Sequence, residues 1–389
     1  MHAIVKNRLL VVTLVLTILY ALHYGIPLYA TSTYLHQYFS SQIVSGLYMI
    51  GSLFALLASI HIAKYIKKFH TYQFTVGLAL AEIFSVIALG YTSSGYFLAI
   101  FFVIHFILQT LLYVCLNVFV ESFSKHAETG SIRGLFLTLL NLGILVSPVI
   151  GGAILSHYSF FALYFTAAVI LIPFIFLLNH YMEHIKEPAY HSIDMLGALK
   201  QAWRNRGLRG VLISAFVMEC FYAVMIIYSP FYLELLGIPL SVYMAMILPF
   251  ALLPLVLLPY ELGFLADSRF GEKEMLIGGL ALLAFTAFLF VIVTTPNPIV
   301  WICILVVSRI GAAAVETMAF TYYFKKVNAE DASLTALFTN TRASATIIVG
   351  ALGVVIAPLL HNRPQLIFII LGCAILWSIS YVLPIKDTR

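Results

Sequence analysis

The chain has 389 residues, of which 62% are hydrophobic and only 10% are charged, and its mean hydropathy is +1.02. A soluble globular domain carries about 25% charged residues, so this composition excludes a soluble protein and predicts one embedded in the membrane. The net charge of +5 comes from lysines and arginines in short loops, which set membrane orientation. We therefore expect lipid, and no nucleic acid, as a partner.

Twelve apolar segments, here called spans one to twelve, are each long enough to cross a bilayer, which takes about 20 helical residues. In chain order they are residues 9–30, 43–62, 74–92, 97–121, 134–156, 159–181, 210–235, 241–263, 275–294, 297–322, 336–360 and 365–384. Span one lacks a small-residue cleavage site, which predicts a retained span and not a signal peptide. The sequence thus predicts an all-α integral membrane protein with twelve transmembrane helices.

The basic residues are distributed unevenly across the predicted membrane. Of 21 lysines and arginines, 18 fall on the side that holds the N-terminus, Arg363 falls on the other side, and Arg309 and Arg342 lie within spans. Cytoplasmic loops are the ones enriched in basic residues. Both termini are therefore predicted to be cytoplasmic, in a bacterial inner or cell membrane.

The cysteines lie within predicted spans and show no paired spacing, so we expect neither disulfides nor a metal site, and no cofactor. They are Cys115, Cys220, Cys303 and Cys373.

The first half carries three ionisable residues deep inside its spans, namely His23 in span one, Glu82 in span three and His105 in span four. Charge in the middle of a bilayer is costly, so Glu82 implies a partner or a water-filled cavity. All three are candidates for proton coupling, and a permanent structural hydrogen bond or ion pair is the alternative for each. Uncharged candidates for the lining of a substrate cavity are Tyr20, Tyr24, Gln109 and Asn117.

Span five contains a run of small residues, GLFLTLLNLGILVSPVIGG, at positions 134–152. Gly143, Ser147 and Gly151 repeat every four residues and form one smooth stripe, which lets another helix approach closely. Pro148 removes a backbone donor and permits a bend. The whole motif comprises Gly134, Gly143, Ser147, Pro148, Gly151 and Gly152. The alternative is a generic packing face.

A polar segment divides six spans from six. Within it, Leu196, Leu199 and Trp203 fall on one helical face and basic residues fall elsewhere, which is typical of an amphipathic helix on the membrane surface. The alternative is a flexible linker. The predicted domains are an N-terminal bundle, a cytoplasmic linker and a C-terminal bundle, at residues 1–183, 184–208 and 209–389.

Span seven carries Glu219, the first candidate for a group that binds and releases a proton during transport. Burial disfavours a charged carboxylate and a nearby arginine favours it, and such opposed effects suit a proton-coupling switch. Arg309 and Glu316 lie seven residues apart on one face of span ten, where Arg342 of span eleven can bridge them. Arg342 is a candidate partner for Asp267 or for Glu316. The alternative is a permanent ion pair. Further cavity candidates are Tyr222 and Tyr228.

The two halves show weak internal similarity at an offset of about 202 residues. KHAETGSIRGLF at 125–136 aligns with VNAEDASLTALF at 327–338, and HIAKYIKKFHTY at 61–72 aligns with GFLADSRFGEKE at 263–274. Matches in the same order predict a six-plus-six duplication. Transporters with this plan hold their substrate between the halves near the membrane midplane.

Two of these stretches resemble motifs of the major facilitator superfamily. The loop after span eight is similar to the family's cytoplasmic motif G-x-x-x-D-x-R-x-G-x-K, and its first-half counterpart lacks both glycines and the aspartate. Span five resembles the family's antiporter motif, with Ser147 in place of a glycine. The loop residues in register are Gly263, Asp267, Arg269, Gly271 and Lys273.

This resemblance implies two pseudo-symmetric six-helix bundles that rock around a central cavity. It further implies that Asp267 and Arg269 make contacts only while the inner gate is closed, and that the stripe of span five packs against span eight. The departure in the first-half loop predicts that such a latch operates mainly on the second-half side.

The sequence as a whole predicts a monomeric secondary transporter that exports a small amphipathic molecule in exchange for protons. The alternative within transport is a sugar or metabolite symporter or uniporter. Alternatives of another class are a membrane-embedded enzyme and a non-transporting receptor. An enzyme is disfavoured because no paired His/Asp or metal constellation is evident, and no phosphate-binding loop exists to power a pump.

Overall fold

The computed structural model describes residues 8–122, 129–183, 194–327, 332–356 and 365–387. Every regular element in these ranges is helical, with no β-strand among them. Helices satisfy their own backbone hydrogen bonds, which a hydrocarbon environment demands. Each of the twelve predicted spans coincides with one helix or with helices in close succession.

The spans of the first half are long helices, and the first is extended by a short helix after a two-residue break. In chain order these helices are Arg8–Leu28, Thr31–His36, Ser41–Phe69, Thr71–Tyr91, Gly95–Ser122, Thr129–His157 and Phe160–Tyr181.

The second half is more broken. Pro230 and Pro259 stand at the first turns of two short helices, where a missing backbone N–H costs nothing. In chain order the helices are Arg206–Ile227, Ser229–Leu235, Leu240–Val242, Leu248–Leu257, Pro259–Leu265, Glu272–Ile292, Pro298–Lys326, Ala332–Thr339, Thr341–Ile356 and Leu366–Val382, with π-helical turns at Tyr243–Ile247 and Ala266–Phe270.

Within the described residues, ten helices are long and apolar enough to cross a membrane. An eleventh span forms if Ser333–Thr339 and Thr341–Ile356, which meet at a bend of 42°, count as one, and Leu366–Val382 is a shorter apolar helix. These numbers are consistent with the twelve predicted spans, and the predicted all-α membrane architecture is confirmed.

The chain divides into two compact units. One comprises residues 1–39 and 50–190, and the other comprises residues 40–49 and 191–389. The start of span two thus groups with the second half of the chain. The predicted domain ranges, which assign the whole of span two to the first half, remain a prediction.

Each unit has its own apolar core. In the first, fully buried side chains such as Leu16, Leu112 and Phe174 join one cluster. In the second, the ring of Phe290 lies 4.9 Å from that of Trp301 and 4.4 Å from that of Phe368. Close packing of this kind holds helices together in lipid, where the hydrophobic effect does not drive their association.

The linker contains a helix, Met195–Arg204, whose N-terminus is capped by the side chain of Asp194. Leu196, Leu199 and Trp203 are all exposed on it. An exposed apolar face beside basic residues supports the predicted amphipathic helix, and its place on the membrane surface remains a prediction.

Candidate functional site

In the first unit, His23, Glu82 and His105 form one buried hydrogen-bonded cluster. Oε1 of Glu82 lies 3.0 Å from Nε2 of His23 and 2.6 Å from Nδ1 of His105. The other ring nitrogen of His23, Nδ1, lies 2.9 Å from the carbonyl oxygen of Ala167. Three separate predicted candidates from spans one, three and four are therefore in direct contact, and span six supplies a fourth group.

Burial differs among the three side chains. Those of His23 and Glu82 are 0% exposed, and that of His105 is 4% exposed. Oε2 of Glu82 is buried with no hydrogen-bond partner among the described residues. All three side chains are thus buried, and that of His105 is the least completely so.

The neighbouring cavity candidates of the first unit are engaged in helix packing. Tyr20 is buried, and its hydroxyl donates to the backbone oxygen of Gln109 at 2.9 Å. Its ring stacks on those of Tyr24 and Tyr113, each 6.0 Å away. The amide of Asn117 donates to the backbone oxygen of Tyr113 at 2.8 Å. These contacts tie span one to span four beside the histidine cluster.

In the second unit, a polar group forms around Glu219. The hydroxyl of Tyr222 donates to Oε2 of Glu316 at 3.0 Å. Arg342 acts electrostatically on both Glu219 and Glu316, and the two carboxylates act on each other. The side chains of Glu316 and Arg342 are exposed, and charged groups so deep in a span face water and not lipid.

Arg309 lies against two aromatic rings. Its guanidinium lies over the rings of Phe221 and Tyr222, at 5.2 Å and 5.6 Å from their centroids. The residue is 1% exposed, and Nε and Nη1 have no hydrogen-bond partner within the described part of the chain. Arg342 is therefore the arginine that acts electrostatically on the two glutamates. Arg309 is held against the aromatic rings by cation–π attraction.

Tyr228, the last cavity candidate, is a buried packing residue. Its hydroxyl oxygen lies 2.7 Å from Oγ of Ser45. Both hydroxyl groups occupy the space where a Cβ atom on Gly353 would lie. A Cβ atom on Gly350 would lie 2.7 Å from the backbone oxygen of Ser45. These glycines let the start of span two approach span eleven.

The stripe of span five packs against span one. A Cβ atom on Gly143 would collide with that of Ala21, and a Cβ atom on Gly25 would lie 2.6 Å from Oγ of Ser147. The Ser147 hydroxyl donates to the backbone oxygen of Gly143 at 2.7 Å. Among the described residues, nothing lies within 4 Å of a Cβ atom on Gly134. Pro148 stands inside the helix, and Gly151 and Gly152 are buried. Packing of this stripe against span eight remains a prediction.

The loop after span eight is fastened to the end of the chain. Gly271 has φ +91°, and a Cβ atom there would lie 2.8 Å from Cγ of Asp387. The backbone N–H of Lys273 donates to Oδ1 of Asp387 at 2.9 Å. Nζ of Lys325 lies 2.8 Å from Oε1 of the buried Glu272.

The remaining motif residues show fewer contacts. Nothing lies within 4 Å of a Cβ atom on Gly263, and the guanidinium of Arg269 lies over the ring of Phe270 at 5.5 Å. The side chain of Asp267 lies outside the described residues, so its predicted gate contact stays a prediction.

Sequence reasoning missed Asp387, Glu272 and Lys325. Glu272 lies in the first turn of the helix Glu272–Ile292, just before the predicted span, and no local signal pointed to its pairing or to Asp387. No group of three or more His, Cys, Asp or Glu residues in the described ranges is arranged to hold a metal ion, and all four cysteines are free thiols.

Comparison with known proteins shows which family this architecture is typical of. A sequence model of the Major Facilitator Superfamily matches residues 9–351. No curated protein sequence shows significant similarity to the chain.

Solved structures share the fold at low identity. The nucleoside transporter NupG has a TM-score of 0.76 at 12% identity, covering 97% of this chain and 100% of its own, and a mutant form of it is equally similar, at 14% identity. An auto-inhibited peptide transporter of the POT family has a TM-score of 0.72 at 13% identity, covering 98% of both chains. The predicted fold of the major facilitator type is confirmed, and twelve helices are consistent with it.

Proposed function

Since the chain belongs to the Major Facilitator Superfamily, it is a membrane transporter and not an enzyme, and we propose that it exports a small amphipathic molecule in exchange for protons. The halves alternate access to the substrate, and the exchange uses the proton gradient of a bacterial inner or cell membrane. The functional unit is a monomer, and the loop residues Asp267 and Arg269 bias the balance between inward-open and outward-open states.

One observation carries the proton coupling: two carboxylates share one nearby arginine. Arg342 is the only cation acting on both Glu219 and Glu316 among the described residues, since Arg309 is held apart against aromatic rings. An uncompensated carboxylate deep in a span is costly. A proton removes that cost, and Glu219 is the natural carrier because its Oε2 has no hydrogen-bond partner in the described structure.

The direction of transport rests on the similarity of span five to the family's antiporter motif. The aromatic residues near Glu219 and Arg309 support an amphipathic substrate, since they offer apolar area beside charge. The orientation, with both termini inside, rests on the distribution of basic residues.

The second candidate is proton-driven uptake of a polar metabolite. The similar structures favour this candidate: the chain shares its fold with NupG, named as a nucleoside transporter, and with the POT family protein, named as a peptide transporter. Symport and antiport respond oppositely to the same pH gradient, so one experiment separates them.

The test uses purified protein in liposomes with an imposed pH gradient and three probes: ethidium, uridine and alanyl-alanine. Antiport predicts that ethidium accumulates when the lumen is acidic, because outward proton flow drives it in. We expect Glu219→Gln to reduce this gradient-driven rate by about 100-fold, the scale on which a proton-transfer group contributes. Glu261→Gln is the control, since Glu261 is exposed in the short helix Pro259–Leu265.

Accumulation of uridine or the dipeptide when the outside is acidic would refute proton-coupled export and support proton-driven symport. Transport of any probe that ignores both the gradient and Glu219→Gln would refute proton coupling at this site.

A further inference from the structure

A second group in the molecule has the chemistry to carry a proton, and it lies in the other unit. We propose that His23, Glu82 and His105 together form a proton-binding site, which holds one exchangeable proton in the state described here. Its existence does not depend on the proposed export function; only its role as a second coupling site rests on that function.

The proton count follows from the hydrogen bonds. The carbonyl oxygen of Ala167 only accepts, so Nδ1 of His23, 2.9 Å away, carries a hydrogen. The contacts of Oε1 of Glu82 to His23 at 3.0 Å and to His105 at 2.6 Å each need a hydrogen between the two atoms. Three hydrogen bonds therefore require at least three protons.

Two neutral histidines and an ionised glutamate supply only two. Each neutral imidazole carries one ring hydrogen and a carboxylate carries none. The third proton must be bound in addition, either on the second nitrogen of His23 or on Glu82. The count is the same in both cases, so it does not depend on which atom holds the proton.

Charge leads to the same conclusion. With the third proton the cluster is neutral, and without it the cluster bears one negative charge in a site where His23 and Glu82 are 0% exposed. The ionisable groups that act on Glu82 are only these two histidines within the described residues, and span six contributes the carbonyl oxygen of Ala167 alone. A buried charge without a partner is strongly disfavoured, so loss of the proton must accompany a rearrangement of the cluster.

The arrangement also provides for exchange. Glu82, His23 and His105 come from three different spans, so a small relative movement of spans one, three and four breaks the shared contacts and releases the proton. His105, at 4% exposure, is the only member with any surface, and it forms the exit. A permanent ion pair requires neither groups from three separate spans nor a partly exposed member.

The first experiment counts protons on the full-length protein in lipid nanodiscs. In a weakly buffered solution with a pH indicator, wild type is raised from acidic to alkaline pH and the protons released per molecule are compared with those of Glu82→Gln. The amide nitrogen of glutamine carries its own hydrogens and can donate to Nε2 of His23. This variant therefore needs no third proton, and we expect wild type to release one proton more. Equal release would overturn the proposal, since the third proton would then be absent or permanently held.

The second experiment locates the proton. Ring-¹⁵N histidine NMR of the same samples, assigned with His23→Asn, should show that the state of His23 changes in the pH range of the extra release. Glu219→Gln should leave that change intact, because Glu219 belongs to the other unit. A His23 signal that stays constant while the extra proton is released would place that proton on Glu82, and a constant signal without extra release would overturn the site.

A third variant tests the exit. His105→Gln retains a side-chain donor for Glu82 but no longer relays a proton through a ring, so the extra proton should still be counted and its release after a pH jump should slow. Unchanged release kinetics would remove His105 from the path.

The two proposals fail separately. If gradient-driven transport of the probes is absent but the extra proton is counted, the export function falls and the binding site stands. If transport responds to Glu219→Gln but the proton count is unaffected by Glu82→Gln, the export function is supported and the second proton-binding site is refuted.

Discussion

At the residue level, His70 adopts a backbone conformation that is normally reserved for glycine. It has φ 62° and ψ 148°, and Gly271, which precedes span nine as His70 precedes span three, has φ 91° and ψ 159°. By backbone conformation His70 thus corresponds to Gly271, one residue away from the sequence alignment at an offset of 202, and the first-half loop follows this path without a glycine. A non-glycine residue in this region carries strain of about 1–3 kcal/mol.

We expect His70→Gly to stabilise the protein by about 1 kcal/mol, because the relief of strain exceeds the cost of glycine's greater freedom in the unfolded chain. Thermal unfolding of the purified protein in detergent measures this. The matched control is His61→Gly within the helix of span two, which should destabilise by about 1 kcal/mol. A lower midpoint for His70→Gly would show that side-chain contacts of His70 outweigh the strain.

Asp387 is the residue that explains why the second-half loop keeps Gly271. Its carboxylate accepts the N–H of Lys273 at the start of span nine and occupies the space where a side chain at position 271 would lie. We expect Asp387→Ala to cost about 0.5–2 kcal/mol, the usual price of losing a cap. Asp387→Asn keeps an acceptor and should cost less, by the same unfolding measurement. Equal losses for both variants would indicate that the charge, and not the hydrogen bond, stabilises the helix end.

At the level of helices, the stripe of span five is a packing surface for span one. Gly143→Ala introduces a methyl group against Ala21, and overpacking of this kind costs about 1–3 kcal/mol. Gly134 in the same helix has open space around it, so Gly134→Ala should leave the unfolding midpoint unchanged or raise it slightly, since alanine is the better helix former. If both variants behaved alike, the helix-packing role of Gly143 would be refuted.

At the level of the whole molecule, the predicted orientation rests on loop charge. A green fluorescent protein fused to the C-terminus should fluoresce in bacterial cells, because this reporter forms its chromophore when it folds in the cytoplasm. An alkaline phosphatase fused at the same point should be inactive, because that enzyme does not become active in the cytoplasm. Moving basic residues from the inner loops to the region of Arg363 should lower the fluorescent fraction. An active phosphatase fusion in the unaltered protein would reverse the predicted topology.

The sequence alone determined the membrane class, the helical architecture and the six-plus-six plan. These properties depend on apolar length, on loop charge and on local motifs, all of which act along the chain. It also singled out Glu82, His23, His105, Glu219 and Arg309, because ionisable residues inside apolar segments are conspicuous wherever they point.

Only the tertiary structure decided which of these residues meet. Contacts between helices depend on their rotation and depth, and no single-helix pattern encodes either quantity. For this reason the sequence ranked Glu219 above the histidines but did not place both imidazoles on one oxygen of Glu82. It offered Arg342 as a partner for Glu316, and only the structure adds that Arg342 also acts on Glu219. The clamp of Asp387 on Gly271 likewise joins residues more than 100 positions apart, which only the folded chain brings together.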